Sequence, residues 1–393
     1  MKITDISIVN VDQLTCPVPL LQVETDAGLH GIGATQAPVN PVAALVADIK
    51  ALLLGQDPTS PNRLWRTMNE GWQARRGRGG EGGVAINAMA AIDMALWDLA
   101  GKALDVPVHK LMGGAIKDRI MAYASATAYD YLGSLKNSHP TWKRPVQLAD
   151  ESRAYIDAGF KAIKFGWGNR YDPADLEGVA AIREAVGPDI HLMLDFGCPA
   201  YNQDGWTVKA ALEVARRLEP FGLYFFEEAL HPYDMDGFST LTAGAKTRIA
   251  TGESLVTLRD FDGFIDARAV DVIQPDAKQV GMTVVHRVAL HAEAAGLLCI
   301  PHSPWSALAH AAHLQILSTV TNGPMIEYIA MAGFRGVPFQ EPYQQAMSFD
   351  IVETPTTFSD GYLELSDRPG LGLGQYVPGA IAELQRLQPL AFP

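Results

Sequence analysis

The segment from residue 190 to residue 254 contains three short apolar runs, IHLMLDF (190–196), LYFFEEA (223–229) and RIATGES (248–254). Each run contains aromatic or β-branched residues, as strands do, and carries an acidic residue near its end. Strands that alternate with helices form right-handed βαβ units and a parallel sheet, and eight units favour a closed α/β barrel. The eight predicted strands are Ile120–Ala124, Ala162–Gly166, Ile190–Phe196, Leu223–Ala229, Arg248–Ser254, Val270–Asp276, Leu297–His302 and Met325–Tyr328.

The regions on either side of the predicted barrel have different patterns. Residues 1–118 begin with alternating apolar residues, which indicate antiparallel strands. They continue with a helical period, in which Ala85, Met89, Ile92 and Leu96 share one face. We therefore predict an α+β domain over 1–118 and a barrel over 119–350. The segment 351–393 is rich in Gly and Pro, and we expect it to return to the first domain.

Composition excludes several classes of protein. The 393 residues are 48% hydrophobic and 19% charged, which argues against disorder. A net charge of −13 argues against nucleic acid or an anionic membrane surface as the main partner. The N-terminus lacks the pattern of a secretory signal, and the charges of Asp93, Asp98 and Lys102 argue against a membrane span at Val84–Leu104. The three cysteines lie far apart, so we expect a reducing, cytoplasmic location.

Titratable side chains lie at or near the ends of seven predicted strands. The carboxyl ends of barrel strands meet at one rim, which carries the active site. Each acid alone would be interpreted as the N-cap of the next helix, but together they are expected to converge on one cavity. Converging carboxylates repel one another unless a cation lies between them, and oxygen donors favour Mg²⁺. The seven residues are Lys164, Asp195, Glu227, Glu253, Asp276, His302 and Glu327.

Motifs along the whole chain resemble those of the enolase superfamily and, within it, the mandelate racemase subgroup (the mandelate racemase/muconate lactonizing enzyme family). They are GFKAIKFG, MLDFG, YFFEEAL, ATGES, DVIQPDAKQVGMT, CIPHSPW, MIEY and the helix AAIDMALWDLAGKALDVPV. The resemblance implies a modified TIM barrel, (β/α)7β, with an α+β N-terminal capping domain that the C-terminal tail completes. It also implies a shared half-reaction, in which a base removes the α-proton of a carboxylate substrate. One Mg²⁺ per subunit then helps to stabilise the enediolate.

The resemblance also implies a role for each matched residue. The Mg²⁺ ligands would be Asp195, Glu227 and Glu253. Asp276 and His302 resemble the family's Asp-His dyad, in which the carboxylate orients an imidazole base. Glu327 resembles the glutamate that hydrogen-bonds the substrate carboxylate, and Lys164 resembles the first lysine of the KxK motif. Glu228 follows a ligand, and we interpret it as a structural residue that points the other way along its strand.

The chain departs from the KxK motif, because Gly166 stands in place of the second lysine. Racemisation needs a base on each face of the α-carbon, so a single principal base favours an acid-sugar dehydratase that yields a 2-keto-3-deoxy acid. Gly197 stands where some sugar-acid dehydratases carry a histidine, so mannonate- or galactonate-type assignments are not supported. An epimerase, racemase or cycloisomerase, and a barrel retired from catalysis, are the alternatives. The departing hydroxyl could be protonated by His302 itself or by His231, Tyr201 or Cys198.

The resemblance also implies that two first-domain loops close over the barrel mouth and set specificity. They are Val11–Val18 and the glycine-rich RRGRGGEGG at 75–83, whose arginines suit contact with a carboxylate or hydroxyls. The second loop could equally be a solvated surface loop, or one ordered by a neighbouring subunit. We expect a small anionic acid sugar as the ligand and a homo-oligomer as the assembly. The candidate substrate-binding residues are Arg75, Arg76, Arg78, His231, Trp167, Cys16 and Tyr201.

Overall fold

The N-terminal part of the chain builds a three-stranded antiparallel sheet with helices packed on it. A computed structural model describes residues 1–9, 19–76, 82–128, 142–166, 173–197, 206–303, 306–330 and 351–378. Together the sheet and helices form the α+β capping domain. The strands are β1 (Ile3–Val9), β2 (Leu20–Thr25) and β3 (His30–Ala34), in that order in the sheet. The helices are α1 (Val39–Leu53), α2 (Pro61–Arg76), α3 (Val84–Leu104) and the short α4 (Val108–Leu111).

Helix α3 is the core of the capping domain. A Cβ atom on Gly31 would lie 2.0 Å from the carbonyl oxygen of Ala95, and one on Gly33 would lie 2.1 Å from that of Ala91. Only glycine therefore lets β3 lie so close to this helix. Among the described residues, α3 is the one helix long and apolar enough to cross a membrane. In this fold, 89% of its most apolar window is buried inside the protein.

The strands predicted after residue 118 form a parallel sheet that curls back on itself. The first barrel strand pairs with the second on one side and with the eighth on the other. The modified TIM barrel is therefore confirmed. The strands are β4 (Arg119–Thr127), β5 (Ala162–Gly166), β6 (His191–Asp195), β7 (Phe225–Glu227), β8 (Arg248–Thr251), β9 (Val272–Ile273), β10 (Leu298–Cys299) and β11 (Met325–Ile329).

Helices cover the outside of this sheet and connect its strands. Several begin at a side chain that accepts a hydrogen bond from the first turn, as Thr207, Thr257 and Ser306 do. The helices are α5 (Pro145–Asp157), α6 (Pro173–Val186), α7 (Val208–Leu218), α8 (Met235–Gly244), α9 (Leu258–Asp266), α10 (Ala277–Val280), α11 (Met282–Ala295) and α12 (Ala307–Leu317).

The pleat of the barrel strands explains why polar residues from different strands meet. One buried residue on or just after each strand fills the barrel interior, and these are Tyr123, Ala162, Met193, Phe225, Ala250, Val272, Ile300 and Met325. Side chains alternate along a strand, so residues two positions further on face the same interior, nearer the carboxyl ends. Lys164, Asp195, Glu227, His302 and Glu327 all stand at such positions.

The C-terminal segment contacts both the barrel and the capping domain. Strands β12 (Phe358–Ser359) and β13 (Tyr362–Glu364) form a hairpin, and β13 pairs antiparallel with β4. Further on, the backbone N–H of Leu371 donates to Asp98 of α3 at 2.8 Å. The Tyr376 hydroxyl donates to the carbonyl of Gly33 at 2.8 Å. This segment therefore connects the two domains.

Candidate active site

Three carboxylates from neighbouring strands converge at the carboxyl end of the barrel. Asp195 ends β6, Glu227 ends β7, and Glu253 lies two residues after β8. One carboxylate oxygen from each residue lies within 4.8 Å of the other two. Among the described residues, this is the group of acidic, His or Cys side chains whose geometry suits a metal ion. The barrel thus brings the three predicted ligands together.

The charges of this group favour a cation. Burial raises the pKa of Glu227 to about 8, against the opposing charge of Lys164 and with the help of Asp195. Burial also raises the pKa of Glu253 well above its usual range, although His302 opposes the shift. Glu227 Oε1 is buried and has no hydrogen-bond partner among the described residues. Three converging carboxylates with one such oxygen suit a small, hard cation such as Mg²⁺.

Glu228 belongs to the same cluster of acids, although strict alternation predicted that it would point away. Its φ of 51° lies in the left-handed region, which breaks the alternation of the strand. The Ser254 hydroxyl donates to Glu228 Oε1 at 3.4 Å. Burial, followed by the charges of Asp195 and Glu227, raises the pKa of Glu228 to about 8.

Lys164 links the carboxylate group to Glu327. Its Nζ atom lies 2.8 Å from Glu227 Oε2, 3.1 Å from Glu327 Oε1 and 3.4 Å from Asp195 Oδ2. Burial disfavours the charged ammonium, but the surrounding carboxylates outweigh it and raise the pKa of Lys164 well above its usual range. In this arrangement Lys164 is a buried cation.

The predicted dyad is formed between the loops that follow β9 and β10. His302 Nδ1 lies 3.0 Å from Asp276 Oδ2, and His302 Nε2 lies 3.1 Å from Glu253 Oε2. Burial works against ionisation of Asp276, but the charge of Lys278 and the hydrogen bond of His302 outweigh it and lower the pKa to about 2. An ionised Asp276 holds the proton on Nδ1, so Nε2 faces the carboxylate group.

Both oxygens of Glu327 accept hydrogen bonds. The Ser125 hydroxyl donates to Oε1 at 2.6 Å, and the backbone N–H of Ser303 donates to Oε2 at 2.7 Å. Burial opposes ionisation, but Lys164 and His302 outweigh it and lower the pKa of Glu327 to about 2. Glu327 is therefore a carboxylate in this structure, with Lys164 as its counter-ion.

Sequence patterns did not single out several residues that support the site. The His313 ring accepts a hydrogen bond from the backbone N–H of Ala277 at 2.9 Å, and its Nδ1 lies 2.9 Å from the Ser303 hydroxyl. This ring thereby connects the loop of the dyad to the loop that holds Glu327. Like Ser125, it acts through contacts between residues distant in sequence, so no local motif shows this role.

Gly166 ends β5 at the position where a second lysine would stand. A Cβ atom there would meet only the carbonyl oxygen of Ala126, at 3.6 Å, which is an ordinary van der Waals contact. Packing against the described residues therefore does not require glycine at this position.

The candidate substrate-binding residues are mostly beyond the described part of the chain. Cys16, Arg78, Trp167, Tyr201 and Cys198 lie outside it, and of Arg75 and Arg76 only the backbone is described, at the end of α2. His231 follows β7, and its Nδ1 accepts a hydrogen bond from the backbone N–H of Tyr233 at 3.3 Å. The roles predicted for all of them remain predictions.

Two families match this chain. Residues 4–113 match the family described as "Mandelate racemase / muconate lactonizing enzyme, N-terminal domain", and residues 147–374 match "Enolase C-terminal domain-like". The chain is 30% identical, over 357 residues, to the D-galactarolactone cycloisomerase of Agrobacterium fabrum. That alignment covers 90% of this chain and 88% of the relative.

Solved structures have the same fold along almost the whole chain. The 3,6-anhydro-D-galactonate cycloisomerase of Zobellia galactanivorans superposes with a TM-score of 0.81 at 26% identity, covering 98% of this chain and 99% of the other. An enolase from Agrobacterium radiobacter, provisionally named as a galactarate dehydratase and bound to sodium and L-malate, also gives a TM-score of 0.81. It is 28% identical, and the superposition covers 98% of this chain and 95% of the other.

Proposed function

Because the chain belongs to the mandelate racemase/muconate lactonizing enzyme family of the enolase superfamily, we propose that it removes the α-proton of a small hydroxylated carboxylate and then expels an oxygen substituent from the β-carbon. In the favoured form the leaving group is a hydroxyl. The protein would then be an acid-sugar dehydratase, a hydro-lyase that releases a 2-keto-3-deoxy acid. The observation that carries this proposal is the His302–Asp276 pair, whose second imidazole nitrogen faces the carboxylate group at Glu253.

His302 would be the base. Asp276 Oδ2 lies 3.0 Å from Nδ1 and would accept a hydrogen bond from Nδ1–H, which would leave the lone pair on Nε2. An imidazole oriented in this way is a suitable general base near neutral pH. The buried position of Asp276 fixes the direction in which the ring points.

The charge that develops on the substrate has to be balanced. Asp195, Glu227 and Glu253 would hold Mg²⁺, which would supply positive charge for the second carboxylate oxygen as the α-proton leaves. Lys164 would bind the same substrate carboxylate. When its ammonium turns to the substrate, Glu327 loses its counter-ion and becomes easier to protonate. A protonated Glu327 would donate a hydrogen bond to the substrate.

Elimination needs fewer bases than racemisation does. His302 can return the abstracted proton to a hydroxyl that leaves from the same face, so one residue serves both steps. Gly166 offers no side chain at the position of a second lysine. This favours elimination over an epimerase or a racemase.

A cycloisomerase is the second candidate, and the names of two relatives favour it. The same enediolate can expel the ring oxygen of a lactone or a cyclic ether. The ring then opens, no atom is lost, and the net reaction is an isomerisation. Since one relative is provisionally named a galactarate dehydratase, six-carbon sugar acids and their cyclic forms are the first substrates to test.

The proposal is tested by ¹H NMR in D₂O with Mg²⁺. Galactarate, D-galactarolactone, 3,6-anhydro-D-galactonate and a stereochemically complete set of four- to six-carbon sugar acids would be incubated with the protein. A dehydratase forms a keto acid with loss of water, a cycloisomerase forms a keto acid without it, and an epimerase returns deuterated substrate. His302→Asn is expected to lower α-proton exchange, taken here as keto-acid formation or deuterium incorporation, by at least about 100-fold, since a positioned base contributes this much or more.

His291→Asn is the matched control, because His291 also pairs with an aspartate, Asp262, at 2.8 Å, but on the surface of the barrel. It is expected to exchange protons at the wild-type rate. Exchange that persists in His302→Asn would transfer the base to another residue, with Lys164 first. If the protein turned over no member of the set, it would instead be a barrel that has lost catalysis and serves in binding.

A further inference from the structure

The segment that begins with Asp276 is held by the capping domain. Asp276 Oδ1 accepts a hydrogen bond from the backbone N–H of Lys278 at 2.8 Å, so the carboxylate starts helix α10. Hydrogen bonds join this segment to α3 and to Thr35, which follows β3. They include Thr35 Oγ1 to the carbonyl of Lys278 (2.8 Å), Asn87 Nδ2 to the carbonyl of Gln279 (3.0 Å), and the N–H of Thr283 to Asp93 Oδ2 (2.8 Å). The position of the dyad therefore depends on the first domain.

Lys278 brings a buried ammonium group to the dyad. Its side chain is 0% exposed, and Nζ lies 3.6 Å from Asp276 Oδ2. His302 Nδ1 lies 3.0 Å from the same oxygen. On its other side, the ammonium donates a hydrogen bond to Gln36 Oε1 of the capping domain at 3.0 Å. The carboxylate of Asp276 thus lies between the imidazole and the ammonium.

We propose that Lys278 is a positioning residue of the dyad, and that Gln36 of the capping domain acts through it. This inference rests on the proposed function, because it takes His302 as the base. Asp276 Oδ2 has to stay directed at Nδ1 if Nε2 is to present its lone pair to the substrate. The ammonium opposes rotation of the carboxylate and balances its charge in a buried place, where an unpaired charge is costly. The capping domain would thereby set the geometry of the base as well as covering the substrate.

Lys278→Met is the first test. We expect kcat for α-proton exchange to fall about 10- to 100-fold, since small misplacements of catalytic groups have effects of this size. KM should stay within about two-fold of wild type, because the residues proposed to bind the substrate carboxylate are unchanged. The substrate is the member of the sugar-acid set that wild type exchanges fastest.

Thr35→Val is the matched control. It removes a hydrogen bond from the capping domain to the carbonyl of Lys278 but leaves the ammonium in place. It is expected to keep kcat close to that of wild type, because the ammonium and the other hydrogen bonds of this interface remain. Equal losses of kcat in both variants would mean that the whole interface matters rather than the ammonium, and a wild-type kcat in Lys278→Met would also overturn the proposal.

A spectroscopic readout needs no substrate. The Nδ1–H proton of His302, hydrogen-bonded to Asp276, should give a low-field ¹H resonance that is identified by its absence in His302→Asn. We expect this resonance to shift or broaden in Lys278→Met and to stay unchanged in Thr35→Val. An unchanged resonance in Lys278→Met would contradict the positioning role.

Gln36→Leu keeps the proposal testable if Lys278→Met does not fold. It should lower kcat by about 3- to 10-fold with unchanged KM, and the double variant should match Lys278→Met alone, since the two residues act in series. The proposal is contradicted if Gln36→Leu keeps the wild-type kcat. It is also contradicted if Gln36→Leu lowers kcat by the same factor in the Lys278→Met background as in wild type. Exchange retained in His302→Asn overturns the assignment of His302 as the base, on which this inference rests. Exchange lost there but kept in Lys278→Met refutes only the role of Lys278.

Discussion

Glu253 shows how single residues of this site serve two neighbours at once. Its carboxylate is one of the three that could hold a cation, and Oε2 also lies 3.1 Å from His302 Nε2. Its place near the end of a predicted strand identified it from the sequence, as it did Asp195 and Glu227. The role of Lys278 was not identified, because its contact with Gln36 joins residues 242 positions apart in the sequence. Contacts of that kind leave no local pattern.

Glu253→Gln is expected to abolish the rise in Tm that Mg²⁺ produces in the wild type. A neutral amide replaces one of three charged ligands, so the affinity of the folded state for the ion falls and its stabilisation falls with it. Without Mg²⁺, the variant should be at least as stable as wild type, because burial and the neighbouring acids both disfavour a carboxylate at this position and the isosteric amide carries no charge. Calorimetry with and without Mg²⁺ measures both effects.

Glu213→Gln provides the control for this change. Glu213 lies exposed on α7, one of the helices that cover the outside of the barrel, and pairs with Arg217 at 3.3 Å. It should keep the full Mg²⁺-dependent rise in Tm. A rise of wild-type size in Glu253→Gln would remove Glu253 from the proposed ligands.

Among the elements, helix α3 contains two buried acids with different partners. Asp98 forms an ion pair with Lys102 at 2.6 Å and accepts a hydrogen bond from the N–H of Ile32 at 3.0 Å. Asp93 accepts hydrogen bonds from the N–H and hydroxyl of Thr283, and burial raises its pKa to about 7 against those bonds. The helix was predictable from its period, but these partners lie too far along the chain for the period to indicate them.

Asp93→Asn is expected to remove one source of pH dependence. The pKa of Asp93 is raised above the ordinary 3.8, so its contribution to stability is fully present below pH 3.8 and is lost as pH rises through about 7. Relative to the variant, wild type should lose up to about 1.4 kcal/mol of unfolding free energy per pH unit within this range. Urea denaturation at a series of pH values measures the difference.

Asp150→Asn is the control, since Asp150 is an exposed residue of α5 that pairs with Arg153 at 2.8 Å. Its stability profile should follow that of wild type at every pH. If the profiles of wild type and Asp93→Asn ran parallel, the pKa of Asp93 would not differ between the folded and unfolded states as expected.

At the scale of the whole molecule, the two domains depend on each other. The capping domain holds the loop of Asp276, and the C-terminal segment joins α3 to β4. The barrel was predictable because strand and helix periods repeat locally eight times. The loops proposed to contact the substrate, at 11–18 and 75–83, have no repeating pattern of this kind and lie mostly outside the described residues, so the residues proposed there, like the homo-oligomer, stay predictions.

Gly370→Ala is expected to destabilise the connection between the domains. An added Cβ would lie 2.3 Å from Asp98 Oδ1, at a residue whose φ is 70°. Gly296→Ala is the control, because Gly296 has a similar φ of 74° and nothing within 4 Å of an added Cβ. The control should cost about 1 kcal/mol for the left-handed backbone, and Gly370→Ala about 1–3 kcal/mol more for overpacking. Equal unfolding free energies for the two variants would contradict the close contact.

Gly166 has a consequence for how such a protein can evolve. A Cβ atom at this position would meet one ordinary contact among the described residues, so packing around the first side-chain atom does not itself require glycine. If that residue were a lysine, a second proton donor would stand beside a reactive centre that is otherwise already assembled. Related enzymes could then change from elimination to inversion of a stereocentre through a few nucleotide substitutions. Each intermediate protein in such a series would still fold.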